Sequence, residues 1–281
     1  MMTNNQAIVV TGASTGIGKA TALHLDKLGF KVFAGVRKET DGQALRKESS
    51  NNLTPIFLDV TDDASIAIAV DTVVTETGGE LYGLVNNAGI GYGGPLEMVP
   101  ISDTRNLIEV NLIGLLAVTQ AFVPLLRQGK GRIVNMSSVA GIQATPGASS
   151  YAASKFAVQA ITNALRLEFR PFGMFVTSVL MSAVESDIHE KGLVYKQELL
   201  KTARPEITQL YAPLIEFGLK MNENPPGMIP AEEIVKAVVH AFTAKKPKYR
   251  YLVGAGAKGA AIVARFPAWF QDWILSKAIY R

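Results

Sequence analysis

The chain alternates two hydrophobic rhythms from its first residues. Short runs rich in β-branched residues alternate with stretches whose apolar positions recur every three or four residues. These are the signatures of strands and of amphipathic helices. Residues 7–11 read as a strand. Residues 16–28 read as a helix, with Ile17, Ala20, Leu25 and Leu28 on one stripe and Gly29 as its stop. Strands follow at 31–36, 55–58 and 81–86, separated by a polar helix at 43–49 and a helix at 62–77 that carries Ile66, Val70 and Val73. The second half repeats the theme. A helical pattern fills 102–126, a strand 132–136, and a long helix 150–170 that Pro171 stops. A strand at 175–180, a helix at 231–243 and a strand at 249–253 complete it. Strands joined by helical crossovers form parallel sheets with right-handed connections. The expected fold is a doubly wound α/β sheet of about seven parallel strands with helices on both faces.

Residues 182–230 break the rhythm. The segment is long, gathers prolines from Pro205 onward, and reads as a helical lid inserted into one domain spanning 1–281. Apolar residues make up 48% of the 281, enough for a large core. Lys and Arg number 28 against 24 acidic residues, and the excess is scattered, so nucleic acid is not an expected partner. The absence of cysteine excludes disulfides, iron–sulfur clusters and thiolate chemistry, and the three histidines lie far apart, so no metal site is expected. Residues 1–6 are polar and the apolar run behind them is short, which sets the expectation of a cytoplasmic protein. The uncharged stretch 110–126 holds Asn111, Thr119, Gln120 and Pro124 and reads as a buried helix rather than a membrane span.

The turn between the first strand and first helix is Thr11-Gly12-Ala13-Ser14-Thr15-Gly16-Ile17-Gly18. Its glycines let backbone N–H groups approach a pyrophosphate, whose charge the helix N-terminus favours. Strand before and helix after are the context this fingerprint needs, and they make the sheet Rossmann-type. An NAD site places a carboxylate about 20 residues further on, against the ribose 2′-hydroxyl. Here the second strand ends at Val36-Arg37-Lys38. A guidinium there suits the 2′-phosphate of NADP, so NADP is favoured, with NAD the alternative.

Further motifs make the chain resemble the short-chain dehydrogenase/reductase family over about residues 7–190. They are the glycine turn at 11–18, Asp59-Val60 after the third strand, and Asn86-Asn87-Ala88-Gly89 after the fourth. Asn111, Ser138, Tyr151 and Lys155 match the family's catalytic tetrad, with the spacing of Ser to Tyr selecting Ser138 over Ser137. The resemblance implies an NAD(P)-dependent oxidoreductase. Tyr151 would be its acid/base. Lys155 would lower the tyrosine pKa and hold the nicotinamide ribose. Ser138 would bind the substrate oxygen and Asn111 would support a proton relay. It further implies cofactor contacts at Gly12, Ser14, Thr15, Gly16, Ile17, Gly18, Arg37, Asp59, Val60, Asn86, Val184 and Ser186. The chemistry is sound without the name. Tyr151 and Lys155 stand at i and i+4 on one helix face. Bringing a phenol to neutrality requires about 4 kcal/mol. An ammonium about 5 Å away supplies roughly 3 kcal/mol at an effective dielectric of about 20, and an oxidised nicotinamide ring adds to it.

One stretch departs from the family. Met181-Ser182 stands where Pro-Gly is usual, removing a fixed and a permissive φ from one turn. The lid supplies many apolar residues, among them Leu193, Leu199, Leu214 and Phe217. That suggests a small hydrophobic carbonyl or alcohol, steroid-, retinoid- or polyketide-like, and the resemblance to hydroxysteroid and retinol dehydrogenases points the same way. Trp269 and Trp273 are expected to pack on their own domain or a neighbouring subunit rather than on a membrane surface. The resemblance implies a homodimer or homotetramer built on the 110–126 and Tyr151 helices. Two rival readings are a cofactor-binding sensor or scaffold with little turnover, and a non-redox enzyme using Tyr151.

Overall fold

The computed structural model describes residues 6–184, 187–223, 225 and 227–280. Seven strands run β1 (Ala7–Val10), β2 (Lys31–Val36), β3 (Leu53–Phe57), β4 (Gly83–Asn86), β5 (Arg132–Ser138), β6 (Phe175–Met181) and β7 (Arg250–Val253). They form one sheet in the order β3-β2-β1-β4-β5-β6-β7, every pair parallel. The expected doubly wound architecture is present.

Strand alternation builds two cores. On β1, Ile8 and Val10 face one layer while Ala7 and Val9 face the other; on β2, Val32 and Ala34 oppose Phe33 in the same way. The first layer is closed by Leu25 of α1 (Gly16–Lys27), Leu45 of α2 (Glu39–Glu48) and Phe242 of α10 (Ala231–Thr243). The second is closed by Val73 of α3 (Asp63–Thr77) and by Val118, Phe122 and Leu126 of α5 (Gly114–Gln128). Both sheet faces are therefore dry, which is why the strands read as near-continuous apolar runs.

The apolar stretch expected as a buried helix is the continuation of α4 (Ile101–Ile108) through a π turn at Glu109–Ile113 into α5. Residues 101–128 are long and apolar enough to span a membrane. One face of this helix is spent on the second core, while Ile113 and Leu116 remain exposed.

Boundaries differ where tertiary bonding overrides local pattern. The second helix starts at Glu39, a turn before its polar run suggests, with Glu39 and Asp41 favourably placed in its first turn. The fourth strand starts at Gly83 because the Leu81 N–H bonds to Leu125 of α5 instead of joining the ladder. The fifth and sixth strands run on to Ser138 and Met181, which pair in register.

The lid comprises α7 (Asp187–Thr202), α8 (Pro205–Leu210) and α9 (Ala212–Glu223). The chain ends in α11 (Ala255–Val263) and α12 (Ala268–Ile279). The last of these rests on α9. Trp269 is 70% and Trp273 51% exposed, so neither tryptophan is taken into the core of its own domain.

Candidate active site

The strand order reverses between β1 and β4, and a cleft of about 380 Å³ opens there beyond the carboxyl ends of the strands. Gly12, Ser14, Thr15, Gly16, Ile17 and Gly18 form one wall. Arg37, Asp59 and Val60 form another. The glycines are required by space. Gly12 adopts φ +63, and a Cβ on it would come 2.9 Å from the Ala88 Cα. A Cβ on Gly18 would collide with the Gly12 carbonyl and the Asn87 amide. The helix behind them starts at an extended Thr15 with no side-chain cap and no acidic residue in its first turn. Its first N–H groups and its dipole are left for an anion. These features fit a dinucleotide pyrophosphate.

Arg37 is exposed at the cleft and has no carboxylate within ion-pair distance among the described residues. Asp59 Oδ1 accepts from the Thr61 N–H at 3.0 Å and its hydroxyl at 2.8 Å. That fixes the carboxylate's rotamer, and the other oxygen makes no hydrogen bond among the described residues.

The four candidate catalytic residues come from three elements: Asn111 and Lys155 stand behind Gly89, Tyr151 adjoins Lys155 and Ser138, and none of the four is among the residues lining the cleft. Ser138 ends β5 at half exposure and Tyr151 and Lys155 lie on α6 (Ser149–Glu168). The Ser138 hydroxyl is close enough to the Tyr151 phenol to lower its pKa, and Ser138 Oγ accepts from the Ala140 N–H at 3.2 Å. Ser137, the neighbour that spacing passes over, is buried and turns to the Lys155 carbonyl. Lys155 Nζ lies 5.8 Å from the Tyr151 ring centroid and donates to the Met136 carbonyl at 3.3 Å. Asn111 sits in the π turn, an irregularity that recurs at functional sites. Its Oδ1 accepts from the Ile90 N–H at 2.8 Å, and its Nδ2 donates to the Ile90 carbonyl at 2.9 Å and to Ser154 Oγ at 3.1 Å. A Cβ on Gly89, which lines the cleft, would stand 3.2 Å from Asn111 Oδ1 and 3.6 Å from Lys155 Nζ. Only a glycine leaves that wall thin.

Burial acts on both titrating groups. It pushes the Tyr151 phenol up, against a smaller lowering by the Ser138 hydroxyl. It pulls the Lys155 ammonium down to about 8. The protein alone thus holds a protonated phenol, the form that donates to a carbonyl oxygen. Against expectation, Lys155 is not among the groups that lower the phenol here; burial dominates and only Ser138 acts against it.

Two expected contacts, Asn86 and Val184, are placed elsewhere. The Asn86 side chain is buried in the sheet, donating to Thr119 Oγ1 at 2.8 Å and Asn135 Oδ1 at 2.9 Å; Asn87 lines the cleft in its place. Val184 is buried and bridges to Ile229 outside the cleft wall. Ser186 lies outside the described residues. The unusual Met181-Ser182 has a local explanation. Met181 pairs with Val253, the Ser182 N–H donates to the Val253 carbonyl at 3.2 Å, and the Ser182 hydroxyl donates to Gly227 O at 3.4 Å. Strand bonding replaces the rigidity of the missing proline. The cleft also takes Tyr92, Asn106, Val110 and Lys191, which local pattern does not reveal. Tyr195 of α7 stacks on Tyr92 at 4.5 Å and donates to Asp103 Oδ2 at 2.7 Å, docking the lid.

A glycine-walled cleft at the switch point, with a phenol and an ammonium nearby, fits a dinucleotide-dependent enzyme in which hydride passes between cofactor and substrate carbon and a proton is exchanged at the substrate oxygen. The chain belongs to the short chain dehydrogenase family, whose model matches residues 6–193. It is 35% identical over 278 residues to "Dehydrogenase/reductase SDR family member 9" of Bos taurus, covering 96% of this chain and 87% of that one. It is 34% identical over 285 residues to "Retinol dehydrogenase 5" of Mus musculus, with coverage of 96% and 87%. A short chain dehydrogenase from Burkholderia cenocepacia, solved in complex with NADP, superposes with TM-score 0.76 at 25% identity over 98% of this chain and 99% of that one. The protein is an NAD(P)-dependent oxidoreductase that interconverts hydroxyl and carbonyl groups.

Proposed function

We propose that the protein uses NADP in preference to NAD and acts on a small hydrophobic alcohol or carbonyl compound. The observation that carries the reading is the Ser138–Tyr151–Lys155 cluster, whose lysine stands behind Gly89. Bound NADP would supply the hydride acceptor or donor. Gly12, Gly16 and Gly18 would hold its pyrophosphate, and Arg37 its 2′-phosphate by charge-assisted bonds. Ser138 would bind the substrate oxygen, and Tyr151 would give it a proton in reduction or take one in oxidation. Lys155 stabilises the phenolate, and Asn111 braces the Ile90 peptide at the cleft floor.

The preference for an apolar substrate rests on the cavity beside the site, walled by Met98, Leu199, Leu214 and Phe217. The name of the retinol dehydrogenase relative agrees with it. We further propose a homo-oligomer. Ile113, Leu116, Phe156 and Leu167 are exposed on the helices that carry Asn111 and Tyr151, more apolar surface than those helices need for solubility.

The test is a panel of hydrophobic ketones and alcohols, each with NADPH or NADP and with NADH or NAD, followed by nicotinamide absorbance. Turnover with NADP favoured is expected. Cofactor binding with no turnover of any member would replace this reading with a sensor, and product without absorbance change would mean a non-redox enzyme.

A further inference from the structure

The cavity under the lid, about 200 Å³, is lined mostly by apolar residues, with Thr145 and Asn222 as neutral polar groups and Lys196 as the one charge. Lys196 of α7 lines it, half-buried. Its Nζ donates to the Gly218 carbonyl at 2.8 Å and to Asn222 Oδ1, both on α9. An ammonium has three donors, so these two neutral acceptors leave one unused. No carboxylate lies within ion-pair distance of it among the described residues. Two other lid lysines behave differently: Lys201 pairs with Glu198 and Lys220 with Glu216, both at the surface.

Burying a cation against neutral partners is unfavourable, and this chain arranges it with care. Two helix glycines, Gly192 of α7 and Gly218 of α9, face this pair, and only at Gly192 would a Cβ be tighter than ordinary contact. A Cβ on Gly218 would stand 3.4 Å from Lys196 Nζ, and one on Gly192 would stand 3.2 Å from Asn222 Nδ2. The lining also includes Thr145, Gly147 and Ala148, the loop that leads into α6 three residues before Tyr151. The cavity therefore reaches the start of the catalytic helix and holds one cation in its wall.

We propose that Lys196 recognises an anionic group of the carboxylate type on an otherwise apolar substrate whose carbonyl or hydroxyl is presented to Tyr151. The proposal rests on the oxidoreductase reading above and narrows its substrate class to apolar oxo or hydroxy acids. The apolar walls take the substrate body, and the unused ammonium donor takes the acid. A bound carboxylate also supplies the counter-charge that the lysine lacks, so neutral analogues of the same shape leave the cation unpaired.

The experiment uses the full-length protein with NADPH and a chain-length series of oxo carboxylic acids, each beside its methyl ester. The acid is expected to exceed the ester in kcat/KM by about tenfold or more at the best length. Lys196→Met and Lys196→Gln should each collapse that ratio toward one; glutamine keeps a donor for Gly218 while losing the charge. A second readout needs no turnover: the saturated acid without a carbonyl should bind the wild-type NADP complex by calorimetry and bind the Lys196 variants about tenfold more weakly. An acid-to-ester ratio that survives Lys196→Met, or acid and ester falling together, would reduce Lys196 to a tie between helices. If neutral ketones are reduced and the acids neither react nor bind, the inference is wrong and the oxidoreductase reading stands. If the acids bind through Lys196 but no carbonyl is ever reduced, the anion site stands and the activity reading fails.

Discussion

Ser182 and Gly254 share one volume: the Ser182 hydroxyl occupies the space that a side chain on Gly254 would need, and Gly254 holds φ +89. A permissive glycine is retained at this corner of the fold, on the strand beside the one where the family carries it. Gly254→Ala is therefore expected to destabilise the protein by about 1–3 kcal/mol, through steric overlap and left-handed strain together. In a Ser182→Gly background the overlap disappears and the cost should shrink by about 0.5 kcal/mol or more. Urea unfolding of the four proteins checks this; additive costs would show that the two positions do not compete.

Tyr151→Phe removes the phenol proposed to exchange a proton with the substrate oxygen. Turnover should fall by about 10²–10⁴, while NADP affinity, measured by fluorescence titration, stays within about threefold because the glycine wall and Arg37 are untouched. Turnover at the wild-type rate would mean that another group supplies the proton.

Arg37 follows β2 at the cleft with no ion pair among the described residues, and it is the residue proposed to hold a 2′-phosphate. Arg37→Asp should raise the Kd for NADP by about tenfold to a hundredfold and leave or improve that for NAD. Equal weakening of the two cofactors would remove the basis for the NADP preference.

Lys155 is buried and its pKa falls to about 8 from an unfolded value of 10.5. Below pH 8 it is protonated in both states and its burial opposes folding. Between pH 8 and 10.5 the unfolded chain holds the proton that the folded one has released, so stability rises with pH in this window. The gain is roughly 3 kcal/mol when complete. The Tyr151 phenol, raised by burial, opposes it above about pH 10. Unfolding free energies at pH 7.5 to 10 (about one measurement per half unit) should therefore climb for the wild type and stay flatter for Lys155→Met. Parallel profiles would show that Lys155 is not desolvated.

Tyr195 ties the lid to α4 through Asp103. Its phenol is pushed up by burial and by the Asp103 carboxylate, so it stays a donor throughout the working range. Tyr195→Phe should weaken lid docking by about 1–2 kcal/mol, seen as faster amide exchange across residues 191–202 with β1 and β4 unchanged. Exchange that stays the same would assign docking to the Tyr92 stack alone.

Much of this molecule is written locally. The apolar, β-branched runs of the strands and the helical stripes are both properties of a short window; the parallel α/β order follows from their alternation. Tyr151 and Lys155 are one helical turn apart, and the glycine turn is contiguous, so their adjacency needed no knowledge of the fold. Other features join residues distant in the chain. Gly89, Asn111 and Lys155 meet only because β4, the π turn and α6 are packed side by side. Asn86 and Asn87 are adjacent and both polar, yet the pleat sends Asn86 into the sheet toward Thr119 and leaves Asn87 to the cleft. Lys191 and Lys196 sit on one polar helix pattern, and nothing local tells them from Lys201. Where α7 comes to rest decides that one lines the cofactor cleft, one enters an apolar cavity and one stays in water. Periodicity specifies the face of an element, whereas the neighbours that face acquires depend on crossovers and packing between segments far apart in sequence.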